Sequence, residues 1–386
     1  MMNRLNRLSV AVMAAGMGVA VTAPAWAYPE FEPRGRMHLD AGFHSEDDVE
    51  LDDNFLARRT RLGVGGKLDP DWDFRIEYDF AEEGVSANDV RLRRNLAGGK
   101  LKIGQFKVPM GLNELTSSNN ITFIERASNS NLVADSRRIG IGYDNFAGPV
   151  GYQLMGYGRS LGGGGTDGDM QKGLAGRLVF NPLKTDSTIL HLGLSVAQED
   201  LGDQMNVRFR DRPEARPAGV RLIDTGTLTA ESTTRLAAEA AWQVGAFSLE
   251  AEYLQAKVKL DNDDADDPNF GGWHVQASYV LTGESRGYGG GNFGGIKPQG
   301  PGGAWEVAAR LSNADLEDEG IEGGKQQNLT LGLNWYATSN VRFMANYIMV
   351  DVEGSSAVVG EDELGADILA GDDSPNIFLL RAQYNF

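Results

Sequence analysis

The segment VRFRDRPEARPAGV carries three arginines at alternate positions, Arg208, Arg210 and Arg212. In an extended chain, alternate side chains point to the same side and lie about 7 Å apart. Like charges at this spacing repel one another unless an anion visits, and guanidinium groups bind phosphate or carboxylate through paired hydrogen bonds. The spacing therefore predicts a ladder that passes an anion from one arginine to the next. In the alternative interpretation, Asp211, Glu214 and other loop acids neutralise the three arginines.

Other motifs indicate little chemistry. The acidic run DNDDADD, residues 261–267, lacks the glycine and the terminal glutamate of an EF-hand loop, which favours a solvated loop that holds divalent ions loosely at most. The glycine-rich segment 287–295 has no strand–helix context for phosphate binding. The four histidines show no pairwise spacing typical of metal ligation. They are His38, His44, His191 and His274. We expect no metal site, no cofactor and no enzymatic activity.

The elements that must position the arginines are β-strands. In WDFRIEYDF, which begins at Trp72, apolar and charged residues alternate strictly, which is the two-residue period of a strand. The last eleven residues, NIFLLRAQYNF, place an apolar residue at every second position and end on Phe386. An aromatic last residue of this kind resembles the terminal strand of bacterial outer-membrane barrels. Within a closed barrel that strand is paired on both sides.

Sixteen segments show strand character, so the sequence predicts an all-β fold, a transmembrane antiparallel β-barrel of about sixteen strands. The segments are 34–43, 55–68, 72–81, 87–95, 100–107, 138–146, 149–158, 172–181, 187–198, 233–244, 246–258, 272–283, 303–313, 325–337, 340–352 and 374–386. Short turns and long loops alternate between them, as in outer-membrane proteins with short periplasmic turns and long extracellular loops. The glycine-rich segment 284–302 is an exception, because this count assigns it to the short-turn side.

The start of the chain predicts export. Arg4 and Arg7 precede an apolar run, and Ala25-Trp26-Ala27 is a cleavage site of the A-x-A type, so residues 1–27 form a signal peptide and residues 28–386 the barrel. The run is too short to span a membrane as a helix. The formal charge is −18, and it becomes −20 without the two arginines of the signal peptide. This acidity excludes a nucleic-acid binder, and the absence of cysteine excludes disulfides.

The polar face of the predicted strands carries more bases than acids, although the whole chain is acidic. The fifteen bases are Arg34, Arg36, Arg59, Arg61, Lys67, Arg75, Arg91, Arg93, Lys102, Arg138, Arg177, Arg235, Arg310, Arg342 and Arg381. The nine acids are Asp40, Asp73, Glu77, Asp79, Asp89, Glu239, Glu250, Glu252 and Glu306. The predicted lumen wall therefore has an excess of six positive charges. We expect about half of the arginines to pair with neighbouring carboxylates and stiffen the wall.

Over essentially the whole mature length, the chain resembles the phosphate-selective porin O and P family of Gram-negative outer membranes. The segments that carry the resemblance are RLGVGGKLDPDWDFRIEYDFA from Arg61, KIGQFKVPMGLNELTSSNNITFIER from Lys102, HLGLSVAQEDL from His191, GAFSLEAEYL from Gly245, LTGESRGY from Leu281, GAWEVAARLS from Gly303 and LGLNWYATSNVRFMANY from Leu331. The resemblance implies a trimer of sixteen-stranded barrels, each narrowed by an inward-folded third loop, here residues 108–137. It also implies ladder arginines at 208, 210 and 212, and constriction arginines at Arg36, Arg58 and Arg59.

Two features depart from the family pattern. Phosphate-selective members carry a lysine directly after Thr-Ser-Ser, whereas Thr116-Ser117-Ser118 is followed here by Asn119. Strand alternation also sends Arg58 to the lipid side, whereas the family turns it inward, so either the strand is irregular there or Arg58 lies at the rim.

These observations predict a passive, water-filled outer-membrane channel that prefers small anions such as phosphate, polyphosphate or small carboxylates. Its expected partners are those anions, outer-membrane lipid, lipopolysaccharide and two further copies of the chain. The alternative is a porin for uncharged solutes, in which the arginines are wall pairs. A structural adhesin, which belongs to another class, would have a plugged lumen.

Overall fold

Sixteen antiparallel strands form one closed sheet in the computed structural model. The structure describes residues 28–45, 49–81, 84–162, 171–361 and 367–386, so the predicted signal peptide lies outside the described residues. The strands are β1 Glu32–Ser45, β2 Asn54–Lys67, β3 Trp72–Asp79, β4 Ser86–Leu96, β5 Gly99–Lys107, β6 Arg137–Asn145, β7 Val150–Tyr157, β8 Lys172–Lys184, β9 Thr188–Asp200, β10 Leu228–Val244, β11 Phe247–Leu260, β12 Asn269–Val280, β13 Ala304–Asp318, β14 Ile321–Tyr336, β15 Val341–Glu361 and β16 Asn376–Asn385. Each of the sixteen predicted segments overlaps one of these strands. β15 continues beyond its predicted end at residue 352, and its outer part pairs with the additional segment Asp367–Asp373.

Pairing between the first and the last strand closes the barrel. Each strand pairs with its neighbours in the chain, and β1 pairs with β16 in antiparallel register, for example Phe43 with Phe378. The C-terminal residues are therefore paired on both sides, as the sequence predicts. No helix in the described part of the chain is long and apolar enough to cross a membrane.

The outer surface is apolar and the lumen is polar. On β9, Leu192 and Leu194 are exposed on the outside, whereas His191 and Ser195 are buried on the inside. This inversion of the usual soluble pattern is what lipid surroundings require of a barrel. The strands extend beyond the apolar belt in places. Residues 314–324, which alternation predicts as a loop, continue β13 and β14 as a hairpin, because backbone pairing does not need apolar side chains.

Three connections fold into the barrel. The inner loop, residues 108–136, contains the short helices α1 (Leu112–Leu115) and α2 (Ser128–Val133). The arginine loop, residues 201–227, contains a two-residue strand, Arg210–Asp211, that pairs with Ile223–Asp224. The inner hairpin, residues 281–303, contains the paired segments Tyr288–Gly289 and Asn292–Phe293. The first two enter from the long-loop end and the third enters from the short-turn end.

Candidate functional site

The inner cavity lies between the inner loop, the tip of the inner hairpin and the wall formed by β1 to β7, and encloses about 240 Å³. Nine basic side chains line it, against three acidic ones, Glu77, Asp89 and Glu114. The basic residues are Arg36, Arg61, Arg75, Arg91, Arg93, Lys102, Lys107, Arg126 and Arg137. Asp73, Asp79 and Asp144 pair with some of these bases from positions outside the lining. Counting all six acids leaves an excess of three positive charges.

The predicted residues Arg36, Arg61 and Arg75 meet in this inner cavity. Arg36 donates a hydrogen bond to Ser118 of the inner loop at 2.9 Å. Arg61 pairs with Asp79 at 2.7 Å, and Arg75 pairs with Asp89 at 3.2 Å. Contacts with neighbouring strands and with the inner loop thus hold these guanidinium groups at the edge of the cavity.

A β-bulge explains why Arg58 turns inward. The register between β1 and β2 shifts between His38 and Leu39, because His38 pairs with Arg59 and Leu39 pairs with Ala57. Arg58 is therefore an extra residue in the strand, and a bulge of this kind re-aims a side chain. Its Nε atom donates to Glu125 of the inner loop at 2.7 Å. The strand is therefore irregular at Arg58, and the side chain faces the lumen rather than the lipid side that strict alternation predicts.

Arg59 and Asn119 lie beside the inner cavity rather than in its lining. Arg59 is 3% exposed and lies 3.7 Å from Glu125 and 3.4 Å from Nδ1 of His38. The Oδ1 atom of Asn119 lies 3.1 Å from Nε2 of His38, and its carbonyl accepts a hydrogen bond from Gln383 at 3.1 Å. Asn119 thus anchors the inner loop to β1 and β16, at the position where the family pattern has a lysine.

The outer cavity, of about 190 Å³, lies between the arginine loop and the inner loop. Five arginines and three acids line it. The arginines are Arg58, Arg210, Arg212, Arg216 and Arg221, and the acids are Glu125, Asp211 and Glu214. This cavity lies toward the long-loop end, so it precedes the inner cavity for a solute that enters there.

The three ladder arginines separate into two groups. Alternation holds, because Arg208 and Arg210 are exposed while Asp211 between the arginines is buried. Arg208, however, makes a two-pronged hydrogen bond to Asp224, with both distances 2.6 Å, and does not line the outer cavity. Arg210 and Arg212 do line it. Asp224, rather than Asp211 or Glu214, pairs with Arg208, and it also lies 4.0 Å from Arg210. Passage of an anion along the ladder stays a prediction.

Burial perturbs two neighbouring groups of the arginine loop. It raises the pKa of Asp211 to about 8, and the nearby Glu214 carboxylate acts in the same direction. Burial also lowers the pKa of Arg212 to about 10, helped by the positive charge of Arg216. Burial therefore favours the neutral Asp211 carboxyl while Arg212 stays charged, which adds to the positive excess that the outer cavity already has.

Wall arginines of the opposite half hold the inner loop rather than lining the cavities. Arg310, Arg342 and Arg381 donate hydrogen bonds to loop carbonyls at 3.0, 2.8 and 2.5 Å. The acceptors are Glu125, Ile121 and Ile124, in that order. These arginines therefore hold the inner loop by its carbonyl groups, in addition to the pairing with wall carboxylates that the sequence predicts.

The inner hairpin supports the inner loop from the short-turn end. Arg286 donates to the carbonyl of Asn120 at 3.0 Å, and the Tyr288 hydroxyl lies 2.6 Å from Nδ1 of His191. Arg177 donates to the carbonyl of Gly291 at 2.9 Å. Asn292 reaches the lining of the inner cavity. Strand counting does not explain why this connection is long. The structure shows that its extra residues fold into the lumen as the inner hairpin.

Sequence reasoning missed three lining residues, Lys107, Arg126 and Arg137. Alternation selects Arg138, yet that side chain pairs with Asp135 at 2.9 Å while Arg137, the first residue of β6, faces the inner cavity. Arg126 belongs to the inner loop and contacts Glu114 at 2.9 Å. Strand periodicity carries no information about loop residues or strand ends, and so no local signal identifies them.

A closed barrel with an apolar outer face, a charged lumen and an inward-folded loop defines an outer-membrane porin. The chain belongs to the phosphate-selective porin O and P family, whose sequence model matches residues 31–386. It is 29% identical to Porin O of Pseudomonas aeruginosa, over 96% of this chain and 91% of that protein. The protein is accordingly a channel of the bacterial outer membrane.

Solved structures agree on the fold. The trimer form of OmpT, an outer membrane protein of Vibrio cholerae, superposes with a TM-score of 0.60 at 12% identity, covering 92% of this chain and 99% of that one. The anion-selective porin from Comamonas acidovorans gives a TM-score of 0.57 at 14% identity, with coverage of 92% and 99%. At these identities the likeness concerns the architecture.

Proposed function

We propose that this porin conducts small anions, such as phosphate, polyphosphate or small carboxylates, in preference to cations and uncharged solutes. The observation that carries the proposal is the inner cavity, where nine basic side chains face three acidic ones. The family is named for phosphate selectivity, and the similar porin from Comamonas acidovorans is anion-selective, which supports the same preference here. No chemical step is involved, and binding must stay weak enough for the ion to leave.

The overall acidity of the chain does not oppose this preference. At physiological ionic strength the Debye length is about 8 Å, whereas the apolar belt of such a barrel is about 25 Å tall. Acids at the long-loop mouth are therefore screened from an ion in the inner cavity. The arginines of the cavity lie within a few ångströms of that ion, so near charge outweighs distant charge.

We further propose a homotrimer in contact with outer-membrane lipid and lipopolysaccharide. The OmpT structure is described as a trimer, and the family resemblance supports the same assembly here. The expected result is a trimeric mass in mild detergent that falls to one chain on heating. A monomeric mass under those conditions would refute the assembly without touching the selectivity.

Reversal potential across a planar bilayer under a potassium chloride gradient tests the selectivity. We expect chloride preference in the parent, weakened by Arg212→Ala and more so by the double change Arg210→Ala with Arg212→Ala. Lys172→Ala is the matched control, because it removes the same charge from an exposed residue outside both cavities. Phosphate block of the chloride current should weaken in parallel.

Cation selectivity of the parent channel would contradict the proposal. So would a double variant whose reversal potential equals that of the parent, since the arginines would then only brace the wall. In that case the channel would be a porin for uncharged solutes, and its permeability to sugars should exceed its permeability to phosphate.

A further inference from the structure

Three buried side chains converge beneath the inner loop, on the wall opposite the basic cavities. Glu250 and Glu252 lie on β11, and His274 lies opposite Glu252 on β12. Their ligand atoms all lie within 4.8 Å of one another. The Nε2 atom of His274 is 3.4 Å from Glu250 and 3.8 Å from Glu252. Sequence spacing gave no sign of this cluster, because pairing between strands creates it.

The two carboxylates differ from other buried acids of the barrel wall. Asp40 pairs with Arg381 at 2.6 Å, Glu239 with Arg177 at 2.6 Å and Glu199 with Arg235 at 2.9 Å. For Glu250 and Glu252, the ion pairs within the described residues involve His274 alone. In that part of the chain no guanidinium lies within ion-pair distance of either carboxylate, although Arg286 acts on Glu250 and Arg177 on Glu252 at longer range. A cation between the two buried carboxylates would lower the remaining cost of their burial.

The hydrogen bonds of His274 direct a lone pair into the cluster. Asn129 of α2 donates from Nδ2 to the carbonyl of Glu252 at 3.4 Å, which turns its Oδ1 toward Nδ1 of His274 at 3.0 Å. With Nδ1 directed at the Asn129 oxygen, Nε2 faces Glu250 at 3.4 Å, and its lone pair becomes the metal ligand when an ion replaces the proton between them. An oxygen that fixes the tautomer of a histidine in this way is typical of metal ligation.

Two further acceptors beside Glu250 have no donor. Asn113 of the inner loop is 3% exposed, and its amide lies 3.2 Å from Glu250, yet its Oδ1 has no hydrogen-bond partner among the described residues. Gln276 is 5% exposed and lies directly opposite Glu250, and its Oε1 is likewise without a partner in that part of the chain. Two unpaired oxygen acceptors beside the carboxylates favour a cation over an anion.

We propose that Glu250, Glu252 and His274 bind a divalent transition-metal ion that fastens the inner loop to the barrel wall. One imidazole and two carboxylates form a ligand set suited to Zn²⁺, with Asn113 or Gln276 as a further oxygen donor. The loop is already attached here, because the backbone N–H groups of Leu112 and Asn113 donate to Glu252. The ion stabilises the constriction and takes no part in anion passage.

The test measures metal on the intact oligomer. The detergent-solubilised porin is stripped with a chelator, reloaded with Zn²⁺, and assayed by elemental analysis and by competition with a chromophoric chelator. We expect about one Zn²⁺ per chain in the parent, and loss of this ion in His274→Gln and in Glu250→Gln. Asn129→Ala should weaken binding by about 10–100-fold, as the loss of an outer partner does.

His191→Gln is the matched control. His191 also faces a buried glutamate, Glu239, at 3.0 Å, but Arg177 already pairs with that carboxylate. This variant should bind Zn²⁺ as the parent does. Equal Zn²⁺ in the parent and in His274→Gln would overturn the proposal, because it would place the metal on surface acids. The alternative would then be a His274 side chain that is hydrogen-bonded to Glu250 and holds no metal.

A second measurement decides the matter even if His274→Gln does not fold. Co²⁺ is loaded into the parent in place of Zn²⁺ and its visible absorption is recorded. Four-coordinate Co²⁺, as the proposed set of three ligands and one further oxygen would give, shows strong d–d bands in the visible, whereas six-coordinate Co²⁺ on exposed carboxylates keeps the weak spectrum of the hydrated ion. Strong bands that Zn²⁺ abolishes support the site, and the spectrum of the hydrated ion overturns it.

Discussion

Arg58 donates two hydrogen bonds to Glu125, from Nε at 2.7 Å and from Nη2 at 3.2 Å, and so joins the bulge of β2 to the inner loop. Arg59 and Arg381 also lie within 4.0 Å of this carboxylate. One carboxylate thus holds three guanidinium groups near the outer cavity, and the junction of wall and loop keeps an excess of positive charge. The Arg58–Glu125 contact therefore fixes both the position of the inner loop and the positive charge beside the outer cavity.

Removing Arg381 should loosen this junction. Its guanidinium pairs with Asp40 at 2.6 Å and with Glu125 at 3.0 Å, and the side chain is fully buried. Arg381→Ala leaves Asp40 uncompensated, which should lower the free energy of unfolding by about 3–5 kcal/mol. Thermal unfolding in detergent measures the change, with Arg208→Ala as the control on an exposed residue. Equal stability of the two variants would contradict the bracing role.

Asn119→Lys should strengthen phosphate block of the channel. The new ammonium would stand beside His38 and next to Ser118, the partner of Arg36. One added charge at a partly exposed position is worth about 1 kcal/mol, or roughly a fivefold lower phosphate concentration for half block. Asn119→Gln separates this charge effect from loss of the native contact. Stronger block by the glutamine variant as well would show that loop position, and not charge, is responsible.

Anion preference should fall as the pH rises through about 8. Burial raises the pKa of Asp211 to about 8, so its carboxyl is neutral below that pH and adds a negative charge to the outer cavity above it. The groups that face it include Glu214, Ser128 and Arg212, and Arg212 keeps its charge because its pKa is about 10. Reversal potentials on both sides of pH 8 measure the effect.

The same shift has a consequence for stability. The folded-state pKa of Asp211 exceeds the ordinary value of 3.8, so its contribution to stability is present at low pH and is lost as the pH rises toward about 8. In Asp211→Asn this titration is absent, and both selectivity and stability should change less across that interval. If the selectivity and stability of Asp211→Asn changed with pH as those of the parent do, a group other than Asp211 would be responsible for the titration.

Shortening the inner hairpin should enlarge the conductance. Deletion of residues 288–293 removes Asn292 from the lining of the inner cavity and the hydrogen bond of Arg177 to Gly291. Single-channel current should therefore rise, with more flicker because the inner loop loses support. Deletion within the exposed acidic loop 261–267 is the control, which should leave the current near that of the parent. A current unchanged by the hairpin deletion would place the narrowest point elsewhere.

The alternation of apolar and polar residues along each strand is sufficient to predict the barrel. Phe378, Leu380 and Tyr384 recur at a period of two because each faces lipid while its neighbours face the lumen, and this rule needs only adjacent residues. For the same reason the sequence placed Arg36, Arg61 and Arg75 inside. The family resemblance added the inward fold of the inner loop, which alternation alone does not show.

The tertiary structure decided which arginines are available to an ion. Arg58 turns inward because the partner strand imposes a register shift, and Arg208 is neutralised by Asp224, sixteen residues away. Arg342 reaches the carbonyl of Ile121 across 221 positions of the chain. Contacts between such distant residues follow from how loops fill the lumen, and no short-range period encodes that packing. Glu250 and His274 meet for the same reason, through the pairing of β11 with β12.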